Sequence, residues 1–233
     1  MQSISGITWE EIQVNKRIKD KLKIDLGYSD LISKLIISRD FTKIEIDSIS
    51  HLIDIFNPFL KNLDFEKSQI ILKKSLDKNK NILIIGDYDV DGCVSTSLMV
   101  NFLKKIKNKI NFYIPNRFDD GYGANIELIK KLLKKVKPDL IIMLDCGSSS
   151  NEAVNFLKLN NKEIIIIDHH EIYRPYPNTE YLINPKKECD YKEYNYLCSS
   201  VLTYFFLDYF IKKNKLQISI EDHLVYIVLA TIC

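Results

Sequence analysis

Four consecutive apolar residues, Ile82 to Ile85, run into Gly86 and then three carboxylates, Asp87, Asp89 and Asp91, before Gly92. An unbroken apolar tetrad closed by glycine is the pattern of a strand buried on both faces, which a sheet covered by helices on both sides provides. The apolar run of Val94, Leu98, Val100, Phe102 and Leu103 predicts a helix next. If the chain stays extended through Asp91, alternation puts all three carboxylates on one side. Like charges that close need protons or a bound cation. The glycines permit a tight turn and close ligand approach, and the following helix points its positive end at an anion. The stretch reads as a metal and phosphate site at the end of a parallel strand. An acidic surface loop after a core strand is the competing account.

From residue 81 onward, strand and helix patterns alternate. Residues 110–114, 140–144, 164–167 and 181–183 read as strands. Residues 126–136, a stretch from the serines at 148–150 through 159, about 198–210, and 220 onward read as helices. Before residue 81 the pattern is helical, with Trp9, Ile12, Ile18, Leu31, Leu35, Leu52, Ile53 and Ile55 among its apolar positions. Gly27 and Asn57-Pro58 punctuate it, and 64–76 forms its last helix. His51 is single, on a helical stripe, and reads as a core or surface histidine. The expected organisation is a helical N-terminal region over 1–80 and an α/β domain over 81–233. Its core is a parallel sheet of about five strands flanked by helices.

Ligands in such sheets gather beyond the carboxyl ends of the strands. Asp87, Asp89 and Asp91, then Asp145, then Asp168, His169 and His170 each follow the last apolar residue of an expected strand. Oxygen and nitrogen donors of this kind suit Mn²⁺ or Mg²⁺ and exclude soft-metal chemistry. Two ions bridged by one Asp would activate water and clamp a phosphoryl group for in-line attack. Taken singly, Asp145 could be a turn residue, Asp168-His169-His170 a helix cap, and Arg117 a surface charge. Tyr191, Tyr194, Tyr196, Tyr204, Phe205, Phe206, Tyr209 and Phe210 cluster at helical spacing. They read as core before they read as a base-stacking platform.

The 233 residues are 46% apolar, enough for a sizeable core, and the net charge of +2 excludes neither nucleic acid nor another anion. The cysteines at 93, 146, 189, 198 and 233 are scattered without CxxC spacing. That argues against a zinc site or disulfide scaffold and fits a reducing cytoplasm. No apolar run reaches about 18 residues, and the N-terminus carries no secretory signal pattern, so no membrane association is expected.

Taken together, GDYDVDG at 86–92, LDCG at 144–147 and DHH at 168–170 resemble motifs I to III of the DHH phosphoesterase superfamily. PNRFDDGYG at 115–123 and LINPKKECDY at 182–191 resemble segments of the RecJ single-strand-specific exonucleases within it. The resemblance runs from about residue 80 to the end. It implies 5′ to 3′ removal of nucleotides from single-stranded DNA in repair and recombination, by two Mn²⁺ or Mg²⁺ ions. It implies Asp89, Asp91, Asp145 and His169 as metal ligands, with Asp145 as the bridge and Asp87 beside them. It places His170 at the scissile phosphate and Asp168 behind the histidines. Arg117, with Ser95 and Thr96 at the helix start, would contact phosphate. A monomer working with a single-strand-binding protein and a helicase is the implied setting.

Three departures accompany the resemblance. Cys146 stands where RecJ proteins commonly carry Asn, and Leu197-Cys198-Ser199-Ser200-Val201 stands where a glycine-rich segment is expected. The fourth motif's Asp would follow directly after Cys233, so the chain reads as the N-terminal part of a longer protein, binding one ion well and the second weakly. Two rival functions are a DHH phosphodiesterase of oligoribonucleotides or cyclic dinucleotides, and a non-catalytic nucleic-acid-binding scaffold.

Overall fold

The computed structural model describes residues 6, 8, 10–50, 56–106, 110–121, 123–187 and 189–233. Trp9, His51, Leu52, Ile53 and Ile55 lie outside them. The chain divides into two compact units, Met1–Phe56 and Asn57–Cys233.

The first unit holds α1 (Lys16–Leu26), α2 (Asp30–Ser38) and α3 (Lys43–Ser50). Asn15 starts α1 by accepting the amides of Arg17 and Ile18 at 3.0 and 3.2 Å, and Ser29 starts α2 by accepting that of Ile32 at 3.2 Å. Gly27 ends α1 in the left-handed conformation. Ile36 is the one buried apolar side chain of α1 and α2, so these two helices bury little apolar surface.

The second unit begins with a 3-10 turn (Pro58–Lys61) and α4 (Leu63–Asp77). The alternating part follows as β1 (Ile82–Ile85), α5 (Val90–Ile106), β2 (Ile110–Tyr113), α6 (Ile126–Lys135), β3 (Leu140–Leu144), α7 (Asn151–Leu159) and β4 (Glu163–Ile167). It closes with β5 (Leu182–Ile183), α8 (Ser199–Lys213) and α9 (Leu224–Ile232). The five strands form one parallel sheet in the order β2-β1-β3-β4-β5.

Side-chain alternation along the strands feeds two cores. Ile82, Ile84, Ile142, Leu144, Ile165 and Ile167 face α4, α5 and α8. Leu83, Ile85, Ile141, Met143, Ile164 and Ile166 face α6 and α7. Each fully buried aliphatic or aromatic side chain contributes roughly 1.5–3 kcal/mol, so these layers hold the sheet ends in place. The aromatic cluster is mostly core: Phe206 meets Phe65 at 5.7 Å between ring centroids, and Phe210 meets Phe102 at 5.8 Å, both edge-on. Tyr196 is exposed.

One local expectation is overturned. The chain is not extended through Asp91, because α5 begins at Val90. Asp89 starts that helix: its Oδ1 accepts the Gly92 amide at 2.8 Å and its carbonyl accepts that of Cys93 at 2.9 Å. Gly92 is thus a packing residue inside the first helical turn. A Cβ there would lie 2.5 Å from the Asp87 carbonyl oxygen. Gly86 serves the same contact from the strand side, since its Cβ would lie 2.0 Å from Thr96 Oγ1. The absence of both side chains lets α5 press onto the loop that carries Asp87.

Candidate active site

The strand order reverses between β1 and β3, with β2 on one side and β4 on the other. A parallel sheet leaves its ligand crevice at such a switch point. Asp87 and Asp89 follow β1, Asp145 follows β3, and Asp168 follows β4. The register holds these ends level, with the Asp145 amide bonded to the Ile167 carbonyl at 2.9 Å.

Asp145 is the centre of the arrangement. Ligand atoms of Asp87, Asp89 and Asp145 lie within 4.8 Å of one another, and so do those of Asp145, His169 and His170. Asp145 is common to both groups. Its carboxylate is buried and neither oxygen has a hydrogen-bond partner. Its backbone takes φ +58°, a left-handed conformation that for a non-glycine residue costs on the order of 1–3 kcal/mol where the surroundings impose it. Burial, then the charges of Asp91 and Asp89, push its carboxyl up to about 9. Burial also raises that of Asp87, whose Oδ1 is likewise partnerless. Orphaned carboxylate oxygens on facing strand ends are what a divalent cation would satisfy, so the residues present fit one.

The two histidines differ. His169 Nε2 lies 3.3 Å from Asp145 Oδ1 and 3.6 Å from Asp91 Oδ2. Burial lowers its pKa, which favours the neutral, ligating ring. His170 instead sets Nδ1 2.8 Å from Asp168 Oδ1, and that bond lifts the ring to about 9. Asp168 itself is buried, which pushes it up. The His170 bond and the Ser148 amide at 2.9 Å outweigh this and leave it at about 2. Asp168 also accepts the amides of His169 and His170 at 2.8 and 3.2 Å.

Asp91 joins neither group of three. The turn of α5 directs it to the start of α8, where it accepts the amides of Ser199 and Ser200 at 2.7 and 2.8 Å. Ser95 and Thr96 are not brought to the site. Both are buried in α5, Ser95 bonding back to the Gly92 carbonyl and Thr96 lying under Gly86. The expectation that they stand at a helix start fails because that start is several residues earlier.

Arg117 is brought to the loop after β1. Its guanidinium lies 5.4 Å from the centre of the Tyr88 ring, between the two carboxylates of the β1 loop in sequence. Asp120 shapes the loop that presents it, accepting from Tyr113 Oη at 2.6 Å, the Asn116 amide at 3.0 Å and Lys131 at 2.7 Å. A cavity of about 240 Å³ opens between the starts of α6 and α7, with His170 and Asp168 on its wall. Glu152 shares that wall, so two carboxylates face the cavity beside the helix starts.

Two supporting residues are given no role by the motifs. Asn184 is buried at the end of β5, and its Nδ2 donates to Ser148 Oγ at 2.8 Å and to the His170 carbonyl at 3.0 Å. Extending the strand-end rule to β5 would have found it. Ser148 ties that network to Asp168, and only the fold reveals its role.

Residues 81–232 match the family described as "DHH family, N-terminal domain". The single-stranded-DNA-specific exonuclease RecJ of Bacillus subtilis is 31% identical over 195 residues, covering 80% of this chain and 24% of the relative. RecJ of Escherichia coli is 32% identical over 128 residues, covering 54% and 22%. A crystal structure of exonuclease RecJ bound to manganese superposes with a TM-score of 0.58 at 26% identity, over 64% of this chain and 38% of that one. RecJ of Thermus thermophilus in complex with Mn²⁺ gives 0.65 at 20% identity, over 86% and 28%, which speaks for the fold. The chain spans about a quarter or less of the length of these two sequence relatives. The match over 81–232, with three motifs converging at one sheet edge, places the chain in the DHH family as a relative of the RecJ exonucleases.

Proposed function

We propose that this chain carries the metal-binding site of a hydrolase that removes nucleotides from the 5′ end of single-stranded DNA. The observation that carries the reading is Asp145, buried, partnerless and shared by two ligand groups. Its relatives' names supply the substrate. The chemistry belongs to residues 81–233, with α4 beneath them placing Phe65 and Leu72 in the same core.

Asp87, Asp89, Asp145 and His169 would hold Mn²⁺ or Mg²⁺, two ions sharing Asp145, with Asp91 beside His169. The ions would supply activated water and neutralise the phosphoryl charge. His170 holds a proton on Nδ1 against Asp168, so the charged ring stabilises negative charge developing on the phosphate oxygens. Asp168 orients both histidines through their amides. Arg117, steadied over Tyr88, binds a backbone phosphate.

Single strands arise where duplex is unwound, so a helicase and a single-strand-binding protein are the partners this substrate implies, in repair and recombination. Among the described residues no helix is long and apolar enough to cross a membrane. The setting proposed for this chain is a monomer in the cytoplasm. The test is Mn²⁺-dependent digestion, by the full-length protein that carries these residues, of single-stranded and duplex DNA labelled at either end, with a dinucleotide alongside. Mononucleotides released from the 5′ end of single strands support the reading. Cleavage of the dinucleotide alone, or no cleavage, overturns it.

A further inference from the structure

Ser199 opens α8 fully buried, yet its hydroxyl has no hydrogen-bond partner. Its backbone is well placed, the amide donating to Asp91 Oδ2 at 2.7 Å. That same oxygen lies 3.6 Å from His169 Nε2, which lies 3.3 Å from Asp145 Oδ1. Ser199 therefore stands on the wall of the carboxylate cluster. The flanking residues satisfy each other, with Cys198 Sγ and Ser200 Oγ 3.1 Å apart. The Ser199 hydroxyl and both Asp145 oxygens are buried and lack a hydrogen-bond partner. The hydroxyl is near enough to Asp145 to favour its charged form. Buried donors and acceptors are rarely left unmade, and a bound cation would satisfy the carboxylate oxygens.

We propose that Ser199 is a positioning residue of the metal centre, its Oγ donating to Asp145 when a cation is held there and fixing the plane of the shared carboxylate. This rests on the metal-site reading above. Groups that orient a ligating carboxylate typically contribute about 10–100-fold in metal affinity.

The test is Mn²⁺ titration by calorimetry of the chain, of Ser199→Ala and of Ser200→Ala, with thermal melts of each without metal. Ser199→Ala is expected to weaken Mn²⁺ binding about 10–100-fold. Its metal-free Tm should equal or exceed that of the unaltered chain, because only a partnerless hydroxyl has gone. Ser200→Ala should bind Mn²⁺ as the unaltered chain does. Equal affinity in Ser199→Ala and the unaltered chain overturns the inference while leaving the metal site standing. A fall in affinity matched by a fall in metal-free Tm also overturns it, marking Ser199 as a support of the fold. No Mn²⁺ binding by the unaltered chain overturns the metal site and this inference together.

Discussion

His170 Nδ1 sits 2.8 Å from Asp168 Oδ1, and that bond separates two adjacent histidines into different chemical roles. His170 is held charged by a carboxylate whose other oxygen is anchored by the Ser148 amide. His169 has no such partner on its ring and faces Asp145 and Asp91 as a ligand would. The split has a consequence for stability. The His170 pKa is raised to about 9 from 6.5, so its contribution is full below about pH 6.5 and is lost as pH rises through 9. Asp168 is lowered to about 2 from 3.8, so its contribution is full above about pH 4 and is lost as pH falls through 2. The Tm difference between the metal-free chain and His170→Ala should therefore be largest between about pH 4 and 6.5 and shrink towards pH 9. A difference that grows with pH would contradict the pairing.

Asp145 has the opposite sign. Its folded pKa is raised to about 9 from 3.8, so without metal it destabilises the fold increasingly as pH rises from about 4 to 9. Asp145→Asn should raise the metal-free Tm at pH 8 by several degrees, since about 1 kcal/mol shifts a domain of this size by ~2–4 °C. Added Mn²⁺ should raise the Tm of the unaltered chain and leave that of Asp145→Asn unchanged. Melting curves with and without Mn²⁺ check both statements.

Gly92→Ala puts a Cβ 2.5 Å from the Asp87 carbonyl oxygen, a backbone atom that cannot swing aside. Overpacking of this kind costs about 1–3 kcal/mol. Relief by moving α5 away also moves Asp89, which starts that helix. Denaturation should show the loss of stability and calorimetry a loss of Mn²⁺ affinity. An alanine variant with unchanged affinity would contradict the close packing.

Asn184→Ala removes donors to Ser148 Oγ and to the His170 carbonyl at once. Leaving buried acceptors unmade costs about 1–3 kcal/mol. The loosened backbone at His170 should lower kcat more than it raises KM, because the ring's aim matters most in the transition state. Steady-state kinetics on a labelled single strand gives the split.

Arg117→Ala should raise KM about 10-fold with little change in kcat, and Arg117→Lys should restore part of it, as a charged phosphate contact without the planar fork does. A fall in kcat alone would argue against a binding role.

The sequence by itself determined the architecture and where the chemistry gathers. Apolar runs such as 140–144 and 164–167 are buried on both faces, and local pattern suffices to identify strands of that kind. The polar residues directly after them, Asp145 and Asp168, then follow from parallel topology, because every strand ends at the same edge. What only the tertiary structure decided is which polar group faces which. Asp91 looks equivalent to Asp89 in the sequence, yet one turn of α5 sends it to the amides of Ser199 and Ser200, more than a hundred residues away. Ser95 and Thr96 look available at a helix start and are buried, because the helix begins at Val90. Nothing in the motifs says what Asn184, Ser148 and Ser199 touch. Their roles come from contacts between elements distant in the chain, and those contacts depend on how helices pack across the sheet, which local periodicity does not encode.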